Sequence, residues 1–404
     1  MDCHRARRKL QHVVPQIASN FDPLWKSHAF AVFYRKVNCL PLLKSFIMIS
    51  DSSSRRAFLA KVASATLALN FTGSFEQKVF SAELPLNLDK TRPVVKSDKK
   101  FVPVMLTPFD AGLRIDFDGL SRLIDFYLRS GAKGFFANCL SSEMYNLDDA
   151  ERLKLVKHVV NRVNGKMPVV ATGSFGNSIE ERATFAKQMH DTGVDAVILI
   201  TSHFATKDED DSVLMRNLEE FLRQTGSIPL GTYECPSPYK RILSPDVLRY
   251  LLSTDRLVYH KDTSLNPETI NAKLKLARNT TLEFYDAHTP NTQSSLQMGA
   301  KGMSCIAGNF YPEIFAWMCD HVLKPERKND VSWLQSELTR VDPIISQGYS
   351  LSAKYFLRKR GLQIEINSRK ADTGLSQTQI KALDKVFNDV SQWCERLGIS
   401  ERYH

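Results

Sequence analysis

No run of about 18 consecutive apolar residues occurs in these 404 residues, so the chain encodes no transmembrane helix of ordinary length. The seven cysteines (3, 39, 139, 235, 305, 319 and 394) include no CxxC pair and no Cys/His cluster at zinc spacing. Scattered in this way, they read as free buried thiols. No GxGxxG and no GxxxxGK[ST] follows the first β-rich apolar run, which weakens a nucleotide-binding reading. Most of the chain also has no basic excess. The net charge is +10, from 54 Lys+Arg against 44 Asp+Glu. Residues 1–47 carry +6 of it and residues 48–100 carry +4, while residues 101–404 hold 37 of each sign. A nucleic-acid-binding body would need a basic stripe on its folded part, so the neutral balance argues against that class for the body.

What is present suits a packed globular protein: 43% apolar and 10% aromatic residues. The neutral part is long enough for one large α/β barrel or two ordinary domains. Ahead of it, Ser54-Arg55-Arg56-Ala57-Phe58-Leu59-Ala60-Lys61 precedes a short, weakly apolar stretch ending near Phe71. This resembles the twin-arginine export signal of bacterial proteins, with its Lys one residue late. The alternative is a helix start with two surface arginines. Met48 lies six residues before Ser54, so we read 1–47 as a doubtful upstream extension, 48–82 as the signal and 83–100 as a polar linker. A periplasmic location follows from that reading, and a cytoplasmic one if the signal fails.

From residue 101, short β-rich runs alternate with amphipathic segments. Strands are expected at 102–106, 134–139, 168–172, 196–201, 228–235, 257–261, 282–285 and 302–306. Helices are expected near 117–130, 148–163, 179–192, 211–225, 244–253, 266–278, 290–298 and 311–322. Capping signals support the helices: Asp148 before Glu151, Ser178 before Glu181, Ser244-Pro245, and Asn266-Pro267. Eight βα units point to an α/β fold, a (β/α)8 TIM barrel over 101–325, with a doubly wound open sheet as the alternative. Residues 326–404 read as a C-terminal helical extension.

In such barrels the chemistry sits at the C-terminal strand ends. Those ends carry Cys139 to Glu143, Thr201 to Phe204, Tyr233 to Pro236, His260-Lys261-Asp262 and Asp286-Ala287-His288. Lys261 is the most informative. Desolvation lowers an amine's pKa and makes it a nucleophile toward a carbonyl carbon. The alternative is a lysine paired with Asp262 or another carboxylate.

These strand ends resemble the dihydrodipicolinate synthase/N-acetylneuraminate lyase family of Schiff-base barrels. Val104 to Phe109 matches its opening strand. Gly131 to Gly134, Ser142-Glu143, Leu147 and Glu151-Arg152 match its second unit. Tyr233-Glu234-Cys235-Pro236 fits its Tyr-x-x-Pro strand, and Tyr259-His260-Lys261-Asp262 fits the strand bearing the Schiff-base lysine. Gly299 to Gly302 and Asn309 to Pro312 fit the last unit.

The resemblance makes Lys261 the imine-forming residue and Tyr233 the general acid–base phenol. Ser141, Ser142 and backbone N–H groups near Leu140 would bind a keto-acid carboxylate. Glu234, His203 and His288 are candidates for the distal part of the substrate, and Ser304 completes the candidate binding set. No cofactor beyond the covalent imine and no metal is implied. Departures are clear. Leu140 and Ser141 stand where the family has two threonines, Cys139 and Ser142 where it has glycines, Phe204 for a tyrosine and Pro238 for an arginine. Lys240 and Arg241 are candidate substitute cations.

These departures argue against a synthase condensing pyruvate with aspartate semialdehyde. The expected partner is a small keto acid or sugar acid, handled by a lyase or aldolase. A sugar-acid dehydratase and a catalytically weak keto-acid-binding barrel are the alternatives. A homo-oligomer is compatible with the resemblance. If the protein starts at Met48 and is cleaved near residue 82, its pI falls from about 9.1 toward neutrality. Isoelectric focusing of the exported form checks this, and a pI still above about 9 contradicts the processing scheme.

Overall fold

The computed structural model describes residues 98–370 and 374–399. The twin-arginine segment, the upstream extension and most of the linker lie outside these residues. Eight parallel strands form one sheet: β1 (Lys100–Phe101), β2 (Phe135–Phe136), β3 (Val169–Thr172), β4 (Ala196–Ile200), β5 (Leu230–Tyr233), β6 (Leu257–Asp262), β7 (Glu283–Asp286) and β8 (Gly302–Met303). The strand order is β1-β8-β7-β6-β5-β4-β3-β2. A parallel bridge between Val104 and Phe136 closes the ring, with the Met105 N–H donating to Phe136 O at 3.0 Å. Consecutive parallel neighbours and closure identify a (β/α)8 barrel and exclude the doubly wound alternative.

The helices follow each strand in turn. They are α1 (Phe117–Arg129), α2 (Asp149–Val163), α3 (Ile179–Asp191), α4 (Asp211–Gln224), α5 (Pro245–Leu252), α6 (Pro267–Ala277), α7 (Thr292–Met298) and α8 (Pro312–His321). The caps work as the sequence implies. Asp148 accepts from the Glu151 N–H at 2.8 Å while the Glu151 carboxylate accepts from the Asp148 N–H at 3.2 Å. Ser178, Ser244 and Asn266 each accept from the amide three residues on. Strands β2 and β8 are shorter than expected, two residues each, and β1 pairs at Lys100–Phe101, just ahead of the expected 102–106, where Val104 forms an isolated bridge.

The tail adds α9 (Lys328–Ser346), α10 (Leu351–Lys359) and α11 (Gln377–Leu397). It is fastened to the mouth of the barrel. The Arg369 guanidinium forks onto Glu151 at 2.6 and 2.7 Å and donates to Leu113 O at 2.8 Å. Lys354 pairs with Glu143 at 3.3 Å, and both side chains are fully buried. Glu143 has a left-handed φ of 59°, an unfavourable conformation for glutamate, and four tail groups hold it there: the Ser350 and Ser368 hydroxyls, the Lys354 ammonium and the Arg369 N–H.

Candidate active site

Strand alternation decides what each strand-end residue can do. On β5 and β6, Tyr233, Tyr259 and Lys261 point into the barrel. There the Phe136 ring of β2 meets Tyr233 and Tyr259 edge-on, at 5.6 and 5.9 Å between centroids, and Tyr259 stacks on Tyr285 of β7. This aromatic floor carries the Lys261 amine, whose Nζ lies 4.4 Å from the Tyr233 ring centroid and 5.6 Å from that of Phe136.

Lys261 is 4% exposed, and among the described residues no carboxylate pairs with it. Burial pushes its amine pKa down, while the Cys139, Cys235 and Cys305 thiols are its nearest electrostatic neighbours. Burial raises Cys235, and it raises Cys305 to about 12. Burial likewise drives the Tyr233 phenol well above its usual range, so it stays protonated. The site therefore holds a desolvated amine beside a neutral phenol.

The carboxylates occupy the opposite face. Asp262, adjacent to Lys261 in sequence, points outward with Glu234 and His260. Lys273 of α6 reaches both carboxylates, at 2.6 Å to Asp262 and in a short contact to Glu234. His260 Nε2 lies 3.7 and 3.8 Å from the two carboxylate oxygens. Burial opposes ionisation of Asp262, yet His260 and Lys273 hold its carboxyl well below the usual range. Glu234, His260 and Asp262 are a metal-like donor set, and the cation among them is the Lys273 ammonium. Glu234 also accepts from the N–H groups of Leu243 and Thr263 at 2.9 and 3.0 Å. It is fully engaged behind the strands, so it cannot be the substrate contact that the sequence suggested.

The loop after β2 is a 3-10 turn, Leu140–Ser142. The Ser142 hydroxyl is consumed by the turn: it donates toward Met105 O and Ala137 O at 2.7 and 2.9 Å and accepts from the Cys139 N–H. It fills the place of the family's glycine and shapes the loop, so it is not available to a ligand. Ser141 is different. Its Oγ accepts from Tyr349 Oη at 2.9 Å, and among the described residues the N–H groups of Leu140 and Ser141 have no acceptor. Leu140 offers only its amide, and its side chain packs on the core.

His203 lies at the rim. Its Nδ1 is 2.6 Å from Ser174 O and its Nε2 is 3.0 Å from Tyr145 Oη. Burial lowers its pKa to about 4, so the imidazole is neutral at physiological pH. His288 follows β7. Its N–H donates to Asp286 Oδ1 at 2.8 Å, and burial raises Asp286 to about 6. Ser304 accepts from Tyr259 Oη at 3.2 Å, deep in the barrel and below the amine. Phe204 is core, edge-on to Phe221 at 5.2 Å. Arg241 is committed to Thr206 O, Glu209 O and Asp211, whereas Lys240 reaches over the end of β6 to Thr263 O at 2.9 Å. The sequence reading missed Tyr349 and Tyr145. Tyr145 is two residues past Glu143 on the loop already flagged, but nothing in the tail marks Tyr349.

A closed parallel barrel with a desolvated lysine on strand six and a phenol on strand five is the arrangement of a class I, lysine-dependent lyase barrel. The chain belongs to the dihydrodipicolinate synthetase family, whose sequence model matches residues 98–389. It is 29% identical over 223 residues to a 4-hydroxy-tetrahydrodipicolinate synthase of Methanococcus vannielii, covering 55% of this chain and 74% of that protein. It is 28% identical over 210 residues to one from Oceanobacillus iheyensis, covering 52% and 70%. Its fold is similar to a dihydrodipicolinate synthase of Thermotoga maritima, with TM-score 0.65, 18% identity, and 72% and 98% of the two chains covered. It is also similar to a prophage protein of that family from E. coli K12 solved with pyruvate, with TM-score 0.64, 18% identity, and 72% and 98% covered.

Among the described residues, Lys273 is the lysine or arginine that pairs with the two buried carboxylates of the outward cluster. Lys273→Met should therefore cost about 3–5 kcal/mol of stability, the typical cost of leaving buried charges unpaired. Chemical denaturation measures it, and a loss below about 1 kcal/mol would contradict the role assigned to the cluster.

Proposed function

We propose that the protein is a Schiff-base-forming lyase or aldolase acting on a 2-keto acid, pyruvate-like or sugar-acid, through an imine on Lys261. The observation that carries this reading is the buried Lys261 amine, with no carboxylate paired to it among the described residues, over the Tyr233 ring. In its neutral form, Lys261 Nζ adds to the C2 carbonyl carbon. The carbonyl oxygen gains protons and leaves as water, giving an iminium ion. That cation accepts the electron pair of the C3–C4 bond as the C4 hydroxyl loses its proton and the fragment leaves as an aldehyde, or the pair of a C3–H bond as its proton is removed, to give an enamine. Tyr233 delivers and recovers the protons. Protonation of the enamine at C3 regenerates the iminium ion, and water hydrolyses it to the keto acid and the free amine. Ser141 Oγ and the Leu140 and Ser141 N–H groups would hold the carboxylate. No metal or nucleotide enters this scheme.

Condensation with a second carboxylated partner is the less favoured reading. Pro238 replaces the expected arginine, and Arg241 is engaged elsewhere, which leaves Lys240 as the cation on that loop. A sugar-acid dehydratase would use the same imine, and product analysis separates it from a C–C lyase. Export through the twin-arginine segment remains part of the proposal and rests on the sequence.

Borohydride reduction with a panel of 2-keto acids and sugar acids should leave a mass increment on Lys261 that Lys261→Ala abolishes. Tyr233→Phe should still form adduct while turnover falls about 10²–10⁴-fold. Adduct formation should rise with pH as the amine deprotonates, with a midpoint below the ordinary lysine value of 10.5. No adduct with any keto acid or sugar acid would favour a binding protein over an enzyme.

A further inference from the structure

The direction of one hydrogen-bond chain can be read from groups that act only as acceptors. Asn309 Nδ2 lies 2.9 Å from Val104 O. A carbonyl oxygen cannot donate, so this atom is the amide nitrogen and the other is Oδ1. Oδ1 then accepts from the Tyr127 hydroxyl in a short contact. The second Nδ2 hydrogen points to Tyr349 Oη at 2.5 Å. With its oxygen already accepting, the Tyr349 hydroxyl turns its own proton to Ser141 Oγ at 2.9 Å. Ser141 Oγ is left as the acceptor of that bond, and its own hydrogen has no acceptor among the described residues.

Tyr349 is held firmly enough to enforce this direction. It lies between α9 and α10, and the next residue, Ser350, donates to Glu143 Oε1 at 3.0 Å. Tail and loop are thus joined at two points two residues apart, Tyr349 on Ser141 and Ser350 on Glu143. The Phe310 ring lies 6.3 Å from that of Tyr349 and limits its tilt. Tyr349 also shares Cys139 and Cys305 with Lys261 as electrostatic neighbours, which puts the phenol beside the amine's own surroundings.

We infer that the C-terminal extension completes the anion-binding half of the site, with Tyr349 a positioning residue that fixes Ser141 Oγ as a hydrogen-bond donor to a substrate carboxylate. This rests on the imine reading of Lys261. A hydroxyl free to rotate must be oriented when the anion arrives. One already oriented by its neighbours needs no reorganisation, and the anion gains the full bond.

The test is borohydride trapping as a function of pyruvate concentration, with pyruvate's neutral methyl ester as the control substrate. Tyr349→Phe keeps the ring and removes only the donor. It should raise the half-saturating pyruvate concentration about tenfold, as expected for one bond to a charged group, with the loss falling there rather than on the plateau. Ser141→Ala should do the same, and the double variant should be no worse than Ser141→Ala, because the two groups act on one bond. The ester should respond less than about threefold to Tyr349→Phe, since it offers no charge to the donor. Unchanged half-saturation for pyruvate, additive losses in the double variant, or an equal response to the ester would each overturn this inference alone. A wild-type chain that gives no adduct with pyruvate or its ester overturns the inference together with the imine reading.

Discussion

The site depends on separating a buried amine from every carboxylate near it. Lys261 and Asp262 are consecutive, and an ion pair between them would hold the amine protonated and useless as a nucleophile. The pleat of β6 prevents this by sending the two side chains to opposite faces. The parallel ladder extends the rule to β5, where Tyr233 pairs in register with Lys261 and both point inward. Glu234, next in sequence, points outward with Asp262. Two carboxylates left in the layer behind the strands would repel each other and resist burial. Lys273 removes that penalty and ties α6 to the ends of both working strands. The nucleophile and the cluster behind it are therefore parts of one arrangement. The ammonium that neutralises the carboxylates comes from a helix, so the strand lysine can remain without a partner.

The barrel alone does not close the other half of the site. The β2 loop places Glu143 in a left-handed conformation and buries its carboxylate, which a loop of that length could not satisfy from its own atoms. The tail supplies two hydroxyls, an ammonium and an N–H, and the same segment delivers Tyr349. Anchoring a strained glutamate and orienting a serine two residues away use one piece of chain. This links the stability of the extension to the geometry of the anion site.

Much of this was legible in the sequence for one reason: it is encoded locally. Caps, strand alternation and the apolar faces of helices are short-range properties, so seven of the eight strands overlap their expected positions, the eight barrel helices lie close to theirs, and the tail is helical. Lys261 and Tyr233 were legible because strand ends in a barrel converge. Reading failed where a residue's face or its long-range partner mattered. Glu234 looked like a mouth residue because β5 was read as running through Cys235, whereas the ladder ends at Tyr233 and Glu234 already faces the helices. Ser142 sits beside Ser141 in sequence, but its hydroxyl bridges Met105 O, a long-range contact, and Ala137 O. Tyr349 meets Ser141 across more than two hundred residues, and no local pattern records such a contact.

The rim bears on what the reactive end is joined to. A second carboxylate would need a cation, yet the Arg241 guanidinium on that side is occupied by Asp211 and two carbonyls. Near the amine's pocket the rim instead offers Tyr145, 38% exposed, with its hydroxyl shared between His203 and Ser237 O. His203 stays uncharged above about pH 4, and the Arg152 and Arg182 guanidiniums lie within electrostatic reach of it. Neutral donors and acceptors suit hydroxyl groups, each of which can donate and accept, better than they suit an anion, whose desolvation they would not repay. The two halves of the site thus differ in chemistry. An oriented donor and free amides near Ser141 suit a carboxylate, while Tyr145 and His203 present neutral hydrogen-bonding groups at the rim.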